Sequence, residues 1–349
     1  MMAHSALEML ENLIRIPSFS GEEDRTADYL ASQFEVRGIP YERSINNVWA
    51  FNKHFDAAKP SILLNSHHDT VKPNSGYTRD PFTPEVEDGK LYGLGSNDAG
   101  GALIAMFHAF VHFYEREGMS HNLIYLAVGE EETSSLNGAI HALEKMPPIS
   151  FGLVGEPTEM NLAIAEKGLI VIDAEAMGVP GHAAHTNTVN PIYKIAKDIA
   201  WVEQFTFEKA SEVTGPVRMS VTQVQAGKQS NLVPAKASFV MDVRVPDVYE
   251  LEEVFAIIDA HTESALTARS FRMRPSSIPA DHPIVLGGIA LGRKTYGSPT
   301  LSDQAHMRFP TLKIGPGKSE RSHTADEFIY VDELEKGIEI YIDLLKTVL

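Results

Sequence analysis

The stretch "SILLNSHHDTV", residues 61–71, decides the fold. An apolar run of the kind that forms a buried strand stops abruptly at His67, His68 and Asp69. Two readings are open at this point. The run is either a packed strand end that happens to carry histidines, or the first piece of a metal site.

The same ending recurs along the chain. "NLIYLAVG" (122–129) is followed by Glu130, Glu131 and Glu132, and "FGLVG" (151–155) by Glu156. "TLKIG" (311–315) leads into a glycine-rich loop and then His323. "NVWAF" (47–51) is a further strand, and "AGGALIAMFHAFVHFYERE" (99–117) reads as a helix between two of these runs. Strand–helix alternation of this kind predicts a mostly parallel sheet flanked by helices, an α/β fold. Ligands of such sheets bind beyond the carboxyl ends of the strands. If these strands are parallel neighbours, several carboxylates and imidazoles pool at one edge. Like charges that close stay ionised only where a cation neutralises them. The chain has no cysteine, so a metal there would take oxygen and imidazole ligands, a set suited to zinc, manganese or cobalt.

The rest of the chain frames this core. "MMAHSALEMLENLIRI" at the N-terminus has helical spacing, and Pro17 ends it. Ser20 and Glu23 have the spacing of a capping box, which predicts a second helix from about Gly21. Residues 168–275 change style. "LIVIDAEAMG", "VRMSVTQVQAG", "KASFVMDVRVP" and the short "ARSFRMRP" read as strands, with helices over "NPIYKIAKDIAWVEQF" and "VYELEEVFAIIDAHTESAL". The order β-α-β-β-α-β is the split, ferredoxin-like pattern. After it the first style returns and ends in the helix "VDELEKGIEIYIDLLKTVL". The expected organisation is a first domain in two parts, 1–166 and 277–349, with an α+β ferredoxin-like domain, 167–276, inserted between them.

Composition excludes several classes. With 43% hydrophobic residues and a net charge of −17, the chain has a full core and no basic patch for a nucleic-acid backbone. No stretch approaches the ~20 apolar residues of a membrane helix. The N-terminus lacks the basic start and unbroken apolar run of a signal peptide, so a cytoplasmic protein is expected. "GLGSNDAGG" (93–101) puts Asp98 where a dinucleotide loop would have its third glycine. Asp98 either caps the following helix or, flanked by glycines, bridges two metal ions. No G-x-S-x-G elbow of a serine hydrolase is present.

"SHHDTV", "GLGSNDAGGALIAM", "GEEETSSLNGA", "VGEPTEM", "GHAAHTNTVNPI", "NLVPAKASFVMDVR" and "GPGKSERSHTADEF" together resemble the motifs of the M20 zinc metallopeptidases and deacylases, in order and over nearly the whole chain. The resemblance implies a zinc-peptidase-like catalytic domain with an inserted lid. It implies two Zn2+, with Co2+ or Mn2+ as substitutes. Asp98 would bridge them, His67 and Glu156 would complete one site, and Glu132 and His323 the other. Asp69 would orient His67 and leave His68 in the variable position. Glu131 would be the general base, a register preferred to one with Glu130 as base and Glu131 on metal. His182 matches a lid histidine that reaches the partner's site in family dimers, with His185 as its competitor. Asn231 and Arg244 match positions that hold a substrate carboxylate. The lysine of the common D-M-K-G-G pattern is replaced by Gly100. The tail motif points to the acylornithine (acetylornithine deacetylase) and lysine-biosynthesis branches. The implied activity is hydrolysis of a small-molecule N-acyl amino acid, acetyl or succinyl on ornithine or citrulline, by a homodimer. A dipeptidase, an aminoacylase or a carboxypeptidase-like hydrolase of lysine or ornithine amides is the alternative.

Overall fold

The computed structural model describes residues 5–349. Two units divide the chain. One comprises the chain up to Ile164 with Ser277–Tyr296 and Ser302–Leu349; the other is Ala165–Ser276 with Gly297–Leu301.

The first unit is mixed α/β. At the centre of its main sheet four parallel strands lie in the order Asn122–Val128, Ser61–His67, Phe151–Val154, Thr311–Lys313. Asn47–Phe51 flanks them antiparallel to Asn122–Val128. Alternate residues of these strands enter different cores. Ile62, Leu64, Leu123 and Tyr125 pack with Phe34, Phe107, Phe110 and Leu344 on one face. Leu63, Ile124, Leu126 and Val128 pack with Trp49, Ala139 and Ala142 on the other. Burial on both faces is why these strands are written almost without polar residues. The buried helix Gly101–Phe113 and the helices Ala6–Ile14, Asp24–Val36 and Val331–Lys346 cover the first face.

Helix starts show where local patterns hold and where they fail. Ser5 and Glu8 form a capping box before Ala6–Ile14; Met1–His4 lie outside the described residues. Ser20 and Glu23 do not form the box their spacing suggests. The helix starts at Asp24 and no side chain caps it. Both side chains are drawn inward: the Ser20 hydroxyl donates to Asp69 Oδ2 (2.6 Å) and Glu23 Oε1 accepts the Glu130 N–H (2.7 Å).

The second unit contains a four-stranded antiparallel sheet in the order Arg218–Ala226, Lys236–Val245, Gly168–Met177, Ala265–Ala268. The helices Pro191–Gln204 and Leu251–His261 share one core with its inner residues, among them Ile170, Ile172, Phe239, Met241, Ile195 and Val254. This is the split β-α-β-β-α-β arrangement. Its last strand falls earlier than "ARSFRMRP" suggests. The buried Asp198 carboxylate accepts the N–H groups of Glu263 (2.9 Å) and Ser264 (3.0 Å), which takes the chain out of the helix after His261 and starts pairing at Ala265.

Candidate metal centre

The parallel register sets His67 opposite Val128, and Val154 opposite both Asn65 and Lys313. The segments that follow these strand ends therefore emerge side by side. His67 Nε2 lies 3.3 Å from Asp98 Oδ1 and 3.8 Å from Glu156 Oε1. His323 Nε2 lies 3.6 Å from Asp98 Oδ2 and 3.0 Å from Glu132 Oε2. Asp98 thus stands between two histidines and turns one oxygen to each. His67, Asp98 and Glu132 each bring a potential ligand atom within 4.8 Å of the others.

The electrostatics are those of acids and imidazoles crowded out of water. Burial opposes charge on His67, yet the Asp69 and Asp98 carboxylates, with Glu131 and Glu156, raise its pKa well above the ordinary value. Burial also opposes ionisation of Asp98, and His67 and His323 outweigh it and hold that carboxyl low. The hydrogen bond to Glu132 lifts His323 to about 9. Burial, with Glu156, Asp303 and Glu132 nearby, pushes Glu131 well above the carboxylate range, against the pull of His67.

The two adjacent histidines have opposite fates. His68 is buried, with Nε2 2.8 Å from the Asn46 carbonyl and Nδ1 2.9 Å from the Thr26 hydroxyl. Burial drops its pKa to about 4, so it is a neutral core histidine. Asp69 meets His67 at two points, the carbonyl more closely than the carboxylate. Its carbonyl sits against His67 Nδ1 (3.0 Å), and the carboxylate is 3.5 Å away. The strand ends at His67, so the alternation of side chains no longer governs residue 69. The Asp69 carboxylate also accepts the N–H groups of Glu131 (3.0 Å) and Glu132 (3.1 Å) and the Ser20 hydroxyl. With Asn47 Oδ1 on Gly129 N–H (3.1 Å) and Glu23 on Glu130 N–H, every amide from 129 to 132 is held by a side-chain oxygen. Glu130 takes a left-handed φ of 58° within this turn.

Glycine at position 100 has a steric reason. A Cβ there would meet the Gly95 carbonyl oxygen at 2.5 Å, so the site that holds lysine in the D-M-K-G-G pattern is closed. Sequence reasoning missed Glu23, Glu327 and Asp303. Asp303 is buried and accepts from Asn65 Nδ2 (2.9 Å). Burial and the neighbouring Asp98 push Glu327 up to about 8, against the backbone N–H groups it accepts. Only the position of Glu327 four residues after His323, inside "SHTADEF", hinted at it.

The other expected residues belong to the second unit. His182 pairs within the strand Gly181–His182 against Leu232–Val233, and Ala183 N–H donates to the Asn231 carbonyl (2.9 Å), so His182 and Asn231 are neighbours. Both are exposed. The His182 and His185 rings lie 5.6 Å apart, side by side. Arg244 already donates from Nε and Nη2 to Asp242 (2.8 and 3.0 Å), which leaves Nη1 and the second N–H of Nη2 for any further acceptor. Among the described residues no helix is long and apolar enough to cross a membrane.

An acid- and imidazole-lined edge of a mostly parallel sheet, with a largely shielded carboxylate set between two histidines, has the donor set of a metal centre. Residues 63–347 match the model of Peptidase family M20/M25/M40, and the chain belongs to that family. It is therefore a metal-dependent hydrolase of amide bonds. It is 25% identical over 374 aligned residues to a succinyl-diaminopimelate desuccinylase of Wolbachia pipientis from Culex pipiens, covering 98% of this chain and 92% of that one. In fold it is similar to the aminopeptidase PepT of Bacillus cereus (TM-score 0.79, 19% identity, 98% of each chain). It is also similar in fold to a dinuclear metal-binding peptidase of the M20 family from Bacillus subtilis (TM-score 0.72, 16% identity, 97% and 96% covered). The tail motif pointed to the acetylornithine branch, whereas this relative's name is that of a desuccinylase.

Proposed function

We propose that the protein is a dinuclear zinc hydrolase that removes an acyl group, acetyl or succinyl, from the nitrogen of an amino acid such as ornithine or citrulline, within arginine biosynthesis. The observation that carries the reading is Asp98 between His67 and His323, with an oxygen facing each imidazole. The donor set fits zinc. It contains only imidazole nitrogen and carboxylate oxygen, it is acidic enough to need cations, and its central carboxylate has two separate faces. His67 and Glu156 would hold one ion, Glu132 and His323 the other, and Asp98 both; Co2+ or Mn2+ would substitute. Zinc there would supply Lewis acidity and make water a nucleophile at neutral pH.

The chain's own groups supply the rest. Glu131, free of the ligand set but beside it, takes the proton of the attacking water and returns it to the leaving amine. Its own N–H and that of Glu132 are both held by the Asp69 carboxylate, which fixes the backbone that carries it. Asn231 and the free edge of Arg244 are assigned to the substrate carboxylate, and His182 to the oxyanion. A homodimer through the second unit, with His182 serving the partner's site, accords with the motif around that residue.

The test is turnover of N-acetyl- and N-succinyl-ornithine and -citrulline by protein of known metal content. The reading expects two metal ions per chain, inactivation by chelator and release of a free amino acid from at least one of these amides. Two bound ions with no turnover of any of the four would overturn the substrate class. Full activity in chelator would overturn the metal mechanism.

A further inference from the structure

Asp98 lies in the turn Ser96–Gly100 ahead of the helix Gly101–Phe113. Its neighbours Gly95 and Gly93 have φ of 76° and 149°, open to few residues besides glycine. What holds that turn is Glu327. Glu327 is 2% exposed; its Oε1 accepts the N–H groups of Asn97 (2.8 Å) and of Asp98 itself (2.9 Å), and its Oε2 accepts that of Gly95 (3.1 Å). Its carbonyl accepts the Gly93 N–H (2.9 Å). Glu327 is itself fixed, because the next residue begins the strand Phe328–Tyr330, paired to Lys90–Tyr92. A second tie runs in parallel. Asn97 Oδ1 accepts the Lys318 N–H (2.9 Å) and Asn97 Nδ2 donates to the Lys318 carbonyl (3.1 Å), which binds the Asp98 turn to the loop that leads to His323.

We propose that Glu327 is a positioning residue for the metal centre: its buried carboxylate gathers the amides of Gly95, Asn97 and Asp98, and so fixes the Asp98 carboxylate between His67 and His323. It touches neither metal nor substrate. It acts by setting where the shared ligand stands, and because His323 lies four residues before it, one short segment supplies a ligand to one side of the site and the support for the bridge. When the carboxyl is ionised, its two oxygens receive three N–H groups and leave no role for an amide. In Glu327→Gln one oxygen becomes an NH2 donor facing a backbone donor, and the turn must shift. Outer partners of ligands typically change metal affinity by about 10–100-fold when replaced.

This inference rests on the metal-centre reading, and its test separates the two. Cobalt(II) is titrated into metal-stripped wild type and Glu327→Gln in competition with a chelator, and the visible absorption of the bound ion is recorded. Wild type that binds no cobalt would end the metal reading itself. Given wild-type binding, Glu327→Gln is expected to bind about 10–100-fold more weakly, with a shifted cobalt spectrum, since the ligand field reports the placement of Asp98. Unchanged affinity and spectrum, even with a lowered melting temperature, would reduce Glu327 to a structural part and overturn the proposal. If the variant does not fold, hydrogen exchange on metal-stripped wild type decides. The amides of Gly95, Asn97 and Asp98 are expected to stay protected with no metal present, and exchange at free-chain rates would refute the clamp.

Discussion

Replacing Asp69 by Asn tests how the catalytic turn is held. The Asp69 carboxylate is fully buried and accepts three hydrogen bonds, from Ser20 Oγ (2.6 Å), Glu131 N (3.0 Å) and Glu132 N (3.1 Å). The amide of Asn has one acceptor. The Ser20 hydroxyl can rotate to accept from the new NH2, but the backbone N–H groups cannot. Whichever way the amide lies, one of Glu131 and Glu132 is left facing a donor. A hydrogen bond to a charged group is worth about 1.5–3 kcal/mol, and an unsatisfied buried donor costs about 1–3 kcal/mol, so the loss is about 2.5–6 kcal/mol. For a unit of this size that lowers Tm by on the order of 10 °C. Thermal melting of metal-stripped protein gives the stability, and metal analysis with steady-state kinetics gives the function. Asp69→Asn is expected to melt early, to bind metal about 10–100-fold more weakly and to lose turnover. If Asp69 served only to orient His67, the melting temperature of the metal-stripped protein would stay within about 2 °C of wild type. That result would refute the reasoning.

Glu131→Gln removes the proton acceptor and keeps the backbone hold; it is expected to retain full metal content while kcat falls at least about 100-fold, the low end of general-base contributions. Normal kcat would remove Glu131 from the chemistry. His182→Ala is expected to leave metal content intact and to cut kcat about 100- to 1000-fold, as loss of an oxyanion donor does. Two buried groups oppose each other in pH dependence. His68, at about 4 in the folded chain against an ordinary 6.5, gives stability that is present above pH 6.5 and lost as pH falls toward 4. Glu23, raised by burial from 4.5 to about 7, gives stability that is present below pH 4.5 and lost as pH rises toward 7. Each is worth about 3 kcal/mol across its window. Glu23→Gln keeps an oxygen for the Glu130 N–H, so denaturant melts should show it gaining stability relative to wild type between pH 4.5 and 7. A constant difference over that range would show that Glu23 does not titrate there.

The strands and the long helices were legible because burial on two faces forces unbroken apolar runs, as in Ile62–Leu64 and Leu123–Val128, and burial on one face forces alternation, as in Gly168–Met177. His67, Glu132 and Glu156 were legible because each closely follows such a run; Asp98 and His323 lie in glycine-containing loops and were placed by the family resemblance. What local patterning misread were residues whose partners are remote in sequence. Ser20 and Glu23 look like a helix cap by spacing, yet their partners are Asp69 and Glu130. The helix before Ala265 was read too long because Asp198, 65 residues away, intercepts its end.

By itself the sequence determined that a two-faced parallel sheet would form and that acids and histidines would gather after its strands, since hydrophobic periodicity and residue chemistry are local properties; which of them would hold metal came from the family resemblance. Only the tertiary structure decided what becomes of the second of two adjacent histidines, His68, sealed neutral against Thr26 and Asn46. It also decided that the side-chain oxygens of Asp69, Glu23 and Glu327 are taken up by backbone amides. A buried carboxylate must be satisfied, and which donors reach it is settled by chain segments that meet only in the folded protein.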